Sequence, residues 1–336
     1  MPMTYQTPYP FGQLPGGETV FKVDIAGQEM RASVLTYGAT LQALHIDGLS
    51  PSMVLGLPSL QDYLLQPIYL GATVGRCANR IADGRFALGG ITYQLDQNFQ
   101  KRHTLHGGRI GTAQLNLRVS DVAADSVQLA IDLPDGHMGF PGALRVKATF
   151  RILVGPTLEL EITATTDAPT ICNLAHHGYF NLGGDRTILD HHLFNPAQTY
   201  QTTDMSLIPN HEPTSVEGTR YDFRQPRRLA DVIDTGAIDN NFCFTHQRGD
   251  IALLSRLHSP GAGVSMEIHS TERGLQVYDG VRTDLVVLKR EGWPSHAGIA
   301  SEPQNWPDAM NNPLAPASAL HPGETYRQLS RFTFCE

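Results

Sequence analysis

The segment from Cys172 to Leu182 carries two adjacent histidines, His176 and His177, followed by Gly178. Imidazole titrates near neutral pH, so a histidine in a pocket could transfer a proton. Successive side chains of a strand point to opposite faces, and only a kink, which Gly178 would allow, could turn both rings to one ligand. We therefore expect one ring to face a pocket and the other to serve the fold. The alternative is two structural histidines beside a turn.

A second reactive group is the carboxylate of Glu302, in the sequence G-I-A-S-E-P-Q-N-W-P-D-A-M-N (298–311). Pro303 restricts Glu302 to an extended backbone. The next residues are the amides Gln304 and Asn305 and the flat ring of Trp306. This composition is typical of a sugar site. Neighbouring amide donors would keep the carboxylate ionised and able to act as a base. The alternative is a surface glutamate in a proline-rich loop.

The sequence G-R-C-A-N-R-I (75–81) contributes two arginines and an asparagine. A guanidinium group presents several fixed donors, so an arginine flanked by Asn79 could clamp hydroxyl groups. Arg80 is the candidate on this hypothesis. The more common alternative places Arg76 and Arg80 on the surface as ordinary charges.

Two more segments carry candidate ligand-binding groups. In D-T-G-A-I-D-N-N-F-C-F (234–244), Asp239 could accept hydrogen bonds from ligand hydroxyls, or its Asp–Asn cluster could only form a turn. In L-Q-V-Y-D-G (275–280), alternation predicts that Gln276 and Tyr278 share a face.

The sequence H-T-L-H-G-G (103–108) raises the question of a metal site. An odd spacing puts His103 and His106 on opposite faces of a strand, so we do not expect them to share a metal ion. The two glycines after His106 indicate backbone that leaves room for a ligand beside its imidazole.

The whole chain has 336 residues and a net charge of −8, with charges scattered along it. This pattern gives no basic footprint for nucleic acid and no membrane-surface patch. The N-terminus lacks the pattern of a signal peptide, and no apolar run is long enough to span a membrane, so we expect a cytoplasmic protein. Four widely spaced cysteines indicate reduced thiols. No linker or repeat divides the chain, which predicts a single domain over 1–336.

Period-two alternation dominates the chain and predicts half-buried antiparallel strands. The clearest are Thr19–Ile25, Ser126–Leu133, Leu144–Ile152, Leu158–Thr163 and Val264–Ser270. Helical signals are few. A capping box at 59–62 predicts a short helix, and 227–233 could form two helical turns. The sequence P-D-G-H-M-G-F-P-G-A-L (134–144) is typical of a turn. The expected fold class is all-β, a large antiparallel β-sandwich.

Taken together, these segments resemble the aldose 1-epimerase, or galactose mutarotase, family over nearly the whole chain. The resemblance rests on motifs that occur in the family's order: L-T-Y-G-A-T-L (35–41), G-R-C-A-N-R-I, T-L-H-G-G, G-F-P-G, N-L-A-H-H-G-Y-F-N-L, S-E-P-Q-N-W-P-D-A-M-N and H-P-G-E-T-Y (321–326). It implies a β-supersandwich, no metal and no organic cofactor, and a monosaccharide substrate. We expect a monomer or a homodimer.

The resemblance also implies roles for individual residues. The family's catalytic base falls on Glu302 and its general acid on His177. The substrate-binding positions fall on a further set: Asn79, Arg80, His106, Asp239 and Gln276. The chain departs from the usual family residues at several places: His176, Gly178, Asp279, the pair His137–Met138, and Asn240. These departures leave the preferred sugar open.

Three other functions fit parts of the pattern. A glycoside hydrolase or lyase could use Glu302 and Asp239 as its two carboxylates, although His177 would then have no clear task. A non-catalytic sugar-binding protein would keep the hydroxyl-binding groups but would not need both an acid and a base. A hexose-phosphate mutarotase would need a basic cluster, and the obvious one (224–228) lies outside the motifs.

Overall fold

The structure is a computed structural model that describes residues 7–49, 51–247, 249–284 and 293–335. The strands follow in chain order: β1 (Tyr9–Gln13), β2 (Thr19–Ala26), β3 (Met30–Leu35), β4 (Thr40–Ile46), β5 (Thr73–Val74), β6 (Arg80–Ile81), β7 (Arg85–Leu88), β8 (Ile91–Gln94), β9 (Thr104–Leu105), β10 (Arg118–Val122), β11 (Ser126–Leu133), β12 (Leu144–Leu153), β13 (Thr157–Thr166) and β14 (Thr170–Ile171). The second half of the chain adds β15 (Ala175–His176), β16 (Tyr179–Phe180), β17 (His192–Phe194), β18 (Thr199–Tyr200), β19 (Thr214–Ser215), β20 (Arg227–Arg228), β21 (Asp239–Cys243), β22 (Ala252–Ser259), β23 (Val264–Ser270), β24 (Gly274–Tyr278), β25 (Ile299–Gln304), β26 (Ala319–Leu320) and β27 (Tyr326–Cys335).

Three larger sheets and four two-stranded ladders join the strands of the described residues. The four-stranded sheet has the order β1-β2-β3-β4, and the six-stranded sheet has the order β16-β25-β24-β21-β18-β19. The nine-stranded sheet has the order β10-β11-β12-β13-β27-β23-β22-β17-β20. One hydrophobic cluster joins side chains from all three sheets, such as Val34, Phe150 and Leu275. The three sheets therefore share one core, and the all-β prediction is confirmed.

The five strands predicted from alternation are all present as β2, β11, β12, β13 and β23. Burial alternates as the pattern predicts. In β23, Val264, Met266, Ile268 and Ser270 are buried while the residues between them are half-buried. Alternation identified these strands because each has one face on the core and the other nearer to solvent.

Two short α-helices occur in the described part of the chain: α1 (Leu60–Leu65) and α2 (Leu229–Ile233). The capping box at α1 is confirmed, because Ser59 Oγ accepts a hydrogen bond from the Asp62 amide at 3.3 Å. The prediction of two helical turns over 227–233 is wrong at its start. Arg227 and Arg228 form β20, which pairs with β17, and only the rest is helical.

The alternative that makes Arg76 an ordinary surface charge does not hold. Its side chain is 1% exposed and fastens the turn 134–144, which the sequence predicted correctly. One guanidinium nitrogen donates to the carbonyl oxygens of Pro141 and Gly142 at 2.9 and 2.7 Å, and the other donates to Pro134 O at 3.3 Å. The fixed fork of donors binds backbone in this case and no ligand.

All four cysteines lie in the described residues and are free thiols, three of them buried. No helix within the described ranges is long and apolar enough to cross a membrane.

Candidate active site

All seven residues assigned to the site from the sequence line one cavity of about 710 Å³. They are Asn79, Arg80, His106, His177, Asp239, Gln276 and Glu302. A separate cavity of about 450 Å³ surrounds Tyr326 and contains none of them. The structure therefore brings together groups that are more than 200 residues apart in the chain.

Three neighbouring strands of the six-stranded sheet carry the acidic and amide groups. Glu302 of β25 lies opposite Gln276 of β24, and Tyr278 of β24 lies opposite Asp239 of β21. Because side chains two residues apart share a face, Gln276 and Tyr278 both reach the cavity, as the alternation predicted.

The adjacent histidines point to opposite faces, as predicted from strand alternation. His177 lines the cavity, whereas His176 lies in the core with 2% of its surface exposed. The His176 ring packs edge-on against Phe150 and Phe332, with ring centroids 5.9 and 6.1 Å away. Burial lowers the pKa of His176 to about 3, so this ring is a neutral part of the core.

Gly178 is needed for a reason other than the kink that a glycine would allow. A Cβ atom at this position would lie 2.7 Å from His176 Nε2 and 3.2 Å from Phe180 Cε2. Glycine is therefore required for space, because the imidazole of His176 occupies the volume that a side chain would fill. The two departures from the usual family sequence at His176 and Gly178 are physically linked.

The imidazole of His177 lies next to the carboxylate of Glu302, with Nε2 to Oε1 at 3.5 Å. Both side chains are buried, at 7% and 2% exposure. Burial lowers the pKa of His177 to about 4, and the positive charge of Arg80 adds to this effect. Burial raises the pKa of Glu302 well above its ordinary value, and the nearby Asp239 raises it further. Each group is thus driven towards its neutral form.

The expectation that amide neighbours keep Glu302 ionised is wrong. The side chain of Asn305 donates to Pro316 O at 2.9 Å, and Trp306 Nε1 donates to Arg273 O at 2.7 Å. Glu302 Oε2 is buried and has no hydrogen-bond partner among the described residues. Neither Asn305 nor Trp306 lines the cavity, so these two residues support the fold.

His106 faces the cavity with its tautomer assigned by a backbone bond. The amide of Asn79 donates to His106 Nδ1 at 3.1 Å, which leaves the ring proton on Nε2. Burial lowers the pKa of His106 well below its ordinary value, with further lowering from His177 and Arg80. The ring is a neutral hydrogen-bond donor. His103 lies elsewhere and accepts from the Asp83 amide at 3.0 Å, and the described residues contain no group of three potential metal ligands.

Arg80, Asp239 and Gln276 form a hydrogen-bonded network on one side of the cavity. Arg80 donates to Asp239 Oδ2 at 3.3 Å and to Asn79 Oδ1 at 3.2 Å. Gln276 donates to Asp239 Oδ1. The guanidinium also stacks on Phe99 at 4.9 Å. Each polar group is held in place by a neighbour, so the cavity wall is preorganised.

Sequence reasoning missed the aromatic residues that surround the two cavity histidines. Tyr69 packs edge-on against His106 at 4.5 Å, and Tyr179 stacks on His177 at 5.1 Å. Phe99 was also missed. Tyr179 occurs in the histidine motif, where its position two residues after His177 could have placed it on the same face. Tyr69 and Phe99 lie outside regular strands and carry no periodic signal.

None of the departures from the usual family residues lines the cavity. Asn240 donates to Gln201 O at 3.1 Å, and Asp279 accepts from the amides of Ile238 and Val281 at 2.8 and 3.0 Å. His137 contacts a backbone carbonyl at 2.7 Å. Asn240, Asp279 and His137 contact backbone atoms and do not themselves line the cavity.

Comparisons with known proteins identify the family of the chain. The family model described as aldose 1-epimerase matches residues 22–333. The chain is 36% identical to the galactose mutarotase of Mus musculus over 335 residues, which cover 96% of this chain and 97% of that protein.

Solved structures of such proteins are similar as well. An aldose epimerase homologue from C. elegans superposes with a TM-score of 0.87 at 27% identity, over 94% of this chain and 98% of that one. A galactose 1-epimerase from Lactobacillus acidophilus gives 0.86 at 26% identity, over 99% of both chains. The chain therefore belongs to the aldose 1-epimerase family and is an isomerase of that class.

Proposed function

We propose that this isomerase interconverts the α and β anomers of a free aldose by acid–base opening and closure of the ring, with Glu302 as the base and His177 as the acid. The observation that carries the proposal is the approach of His177 Nε2 to Glu302 Oε1, at 3.5 Å, in a buried cavity wall. A carboxylate and an imidazole at this distance can act on two oxygen atoms of one sugar. Each positioned acid or base of this kind contributes about 10²–10⁴-fold to a rate.

The proposed reaction moves two protons and returns both. The Glu302 carboxylate takes the proton of the C1 hydroxyl while His177 gives a proton to the ring oxygen. The bond between C1 and the ring oxygen breaks, and the open aldehyde forms. After rotation about the C1–C2 bond, the ring oxygen attacks the other face of C1. His177 then recovers its proton from the ring oxygen, and Glu302 returns its proton to O1.

The pKa directions indicate how the pair is charged for this reaction. With one proton between them, the pair is either protonated Glu302 beside neutral His177 or an ion pair of carboxylate and imidazolium. Burial favours the neutral arrangement, since it raises the pKa of Glu302 and lowers that of His177. Both arrangements carry no net charge, so the pair can change from one to the other without exchanging a proton with solvent. The ion pair is the reactive arrangement.

We assign binding of the sugar oxygens to the other five polar residues. His106 would donate from Nε2–H, since Nδ1 is held by the Asn79 amide. Arg80 would donate from its guanidinium N–H groups. Asp239 would accept from ring hydroxyls with those of its lone pairs that Arg80 and Gln276 do not already occupy. Asn79 and Gln276 complete the set. An uncharged His106 suits a donor that stays in place while the protons move at Glu302 and His177.

D-galactose is the first substrate to test. The relative that is 36% identical carries the name galactose mutarotase, and none of the departures from the usual family residues lines the cavity. Polarimetry on freshly dissolved α-anomers of galactose, glucose, xylose, arabinose and fucose, with and without protein, tests the proposal. We expect faster equilibration of at least galactose. A panel in which no aldose equilibrates faster would contradict it.

The two rival enzymes receive little support from the described residues. For a glycoside hydrolase, Asp239 would be the second carboxylate, but Arg80 and Gln276 already hold both of its oxygens. For a phosphosugar enzyme, two of the three arginines in the basic cluster are already paired, Arg224 with Asp222 and Arg228 with Asp190. The third, Arg227, donates to Arg220 O at 2.8 Å. We expect no cleavage of a chromogenic glycoside.

A further inference from the structure

Beside the cavity, buried polar atoms follow Glu302 along the same face of β25. Glu302 and Gln304 are two residues apart, so their side chains leave the same face of the sheet. Glu302 Oε2 is buried without a hydrogen-bond partner among the described residues. Gln304 is fully buried, and neither its Oε1 nor its Nε2 has a partner there. Buried amides that bind nothing are rare in folded proteins.

Asn241 of β21 extends this row. Gly274 of β24 lies opposite Gln304 in the ladder, and a Cβ atom on it would be 2.6 Å from Asn241 Oδ1. The Asn241 side chain therefore crosses above Gly274 towards Gln304. Asn241 Nδ2 donates to Gln201 Oε1 at 3.1 Å, but Oδ1 has no partner in the described part of the chain.

The indole ring of Trp306 also lies next to Gly274. Its Cδ1 atom would lie 3.3 Å from a Cβ on Gly274, and its indole N–H is already bonded to Arg273 O. The indole therefore adds an apolar cover and no further hydrogen bond. Asn241 Oδ1 lies at Gly274, Gln304 is opposite Gly274, and Glu302 is opposite Gln276, the next residue of β24 on the same face. Asn241 Oδ1, Glu302 Oε2 and both polar atoms of the Gln304 side chain lack partners among the described residues.

One water molecule matches this set of atoms, since a water donates two hydrogen bonds and accepts others. It would donate to Asn241 Oδ1 and to Glu302 Oε2, and it would accept from Gln304 Nε2–H. We propose that Gln304 is a positioning residue for the catalytic carboxylate and that it acts through one buried water held between Gln304, Asn241 and Glu302 Oε2. The inference rests on the proposed role of Glu302 as the base.

The bridge would fix the rotation of the carboxylate. With Oε2 held by the water, Oε1 stays directed at His177, which lies 3.5 Å away. A hydrogen bond from the bridge also favours the ionised form of Glu302 and opposes the effect of burial. The charged or titratable groups that face Glu302 from other elements are His177, Asp239, Arg80 and Tyr179. The bridge would act on Glu302 from the direction of Gln304, along the same face of the sheet.

The test compares Gln304→Met with Gln328→Met by mutarotation kinetics over a range of pH. Methionine has nearly the volume of glutamine and removes both polar atoms. Gln328 of β27 is a matched control, because it is also buried. Its side chain donates to Pro303 O at 2.7 Å, and Pro303 lies on β25 next to Gln304. We expect Gln304→Met to lower kcat about 10-fold, the usual scale of a lost hydrogen bond to a charged group, with KM unchanged. The limb of the pH profile that Glu302 controls should move to higher pH.

The control variant, Gln328→Met, should lower the melting temperature without moving the limb of the pH profile that Glu302 controls. If Gln304→Met fails to fold, Gln304→Asn keeps an amide of shorter reach and should show the same kcat loss and the same direction of the pH shift. Equal kcat and an unmoved limb in the Gln304 variant that folds would overturn the inference.

A double-mutant cycle separates this inference from the proposed function. If Gln304 acts through Glu302, adding Gln304→Met to Glu302→Gln should change the residual turnover less than twofold. A further 10-fold loss in that background would contradict action through Glu302. Full turnover of Glu302→Gln alone would instead contradict the proposed function itself.

Discussion

His177 Nε2 lies 3.5 Å from Glu302 Oε1, and burial moves the pKa values of the two groups in opposite directions. Between the lowered pKa of His177 and the raised pKa of Glu302, the pair therefore holds one proton. His177 lies between β15 and β16, and Glu302 lies in β25. In one buried contact, the two residues provide the proton acceptor and the proton donor that an anomer interconversion needs.

The pH dependence of turnover follows from these directions. Below the lowered pKa of His177, about 4, the pair gains a second proton and Glu302 cannot accept one. Above the raised pKa of Glu302, the pair has lost its proton and His177 cannot donate. We expect kcat/KM, corrected for spontaneous mutarotation, to have its acid limb near the lowered pKa of His177 and its basic limb at the raised pKa of Glu302. An acid limb centred near 6.5, the ordinary value for histidine, would contradict the shared proton. His177→Gln should show almost no turnover at any pH.

The packing of His176 against Gly178 predicts a non-additive pair of substitutions. Gly178→Ser alone should lower the stability by about 1–3 kcal/mol, because its Cβ would overlap His176 Nε2 in a filled core. His176→Asn alone should keep most of the activity, since this ring does not reach the cavity.

The double variant His176→Asn/Gly178→Ser should recover part of the stability lost in Gly178→Ser, because the shorter side chain frees the space. Thermal denaturation of the three variants measures the coupling. Strictly additive changes in melting temperature would show that the two positions are independent.

The network around Asp239 predicts that charge alone cannot replace Arg80. Arg80→Lys keeps the positive charge but cannot donate to both Asp239 Oδ2 and Asn79 Oδ1. We expect a decrease in kcat/KM of about 10-fold or more, the scale of losing one hydrogen bond to a charged group.

Arg118→Lys is the matched control for this substitution. Arg118 pairs with Asp132 at 3.1 Å, but its side chain is 59% exposed, so the exchange should leave turnover unchanged. His106→Asn should also reduce turnover, because the neutral Nε2–H donor is lost. Wild-type kinetics in both Arg80→Lys and His106→Asn would remove these residues from the substrate-binding set.

The sequence predicted well wherever one strand face is buried and the other is not. The alternation in β11 and β12 gave both strands, and the same rule separated His176 from His177. These features depend on local period and on side-chain direction, which a single sequence contains.

The sequence predicted poorly where a side chain meets a distant loop. Arg76 bonds to carbonyls near residue 140, and Trp306 bonds to Arg273, neither of which leaves a local pattern. The ionisation of Glu302 was misjudged for a related reason. Its neighbours in sequence are amides, but its neighbours in space are His177 and Asp239, and burial sets its pKa.

The central claim is that Glu302 takes the proton from the C1 hydroxyl, and Glu302→Gln tests it most directly. The variant keeps the shape of the side chain but cannot accept that proton. Sugar affinity should stay within a few-fold, because binding is spread over the five other polar residues of the cavity.

The pH dependence of thermal stability provides an independent test of the Glu302→Gln variant. The folded-state pKa of Glu302 is raised, so its favourable contribution is complete below the unfolded value, about 4.3, and is lost as pH rises through the folded value. Glutamine does not titrate. The melting temperature of Glu302→Gln relative to wild type should therefore increase with pH, whereas a glutamate that only braced its loop would give a less stable variant with weaker binding.

The deciding measurement is the mutarotation rate of Glu302→Gln on galactose, or on the best aldose of the panel, in a preparation shown to be folded and to bind sugar. We predict that kcat falls by about 10²-fold or more with little change in sugar affinity, the result expected for an interaction made in the transition state. A kcat equal to that of the wild-type enzyme would contradict the proposed mechanism.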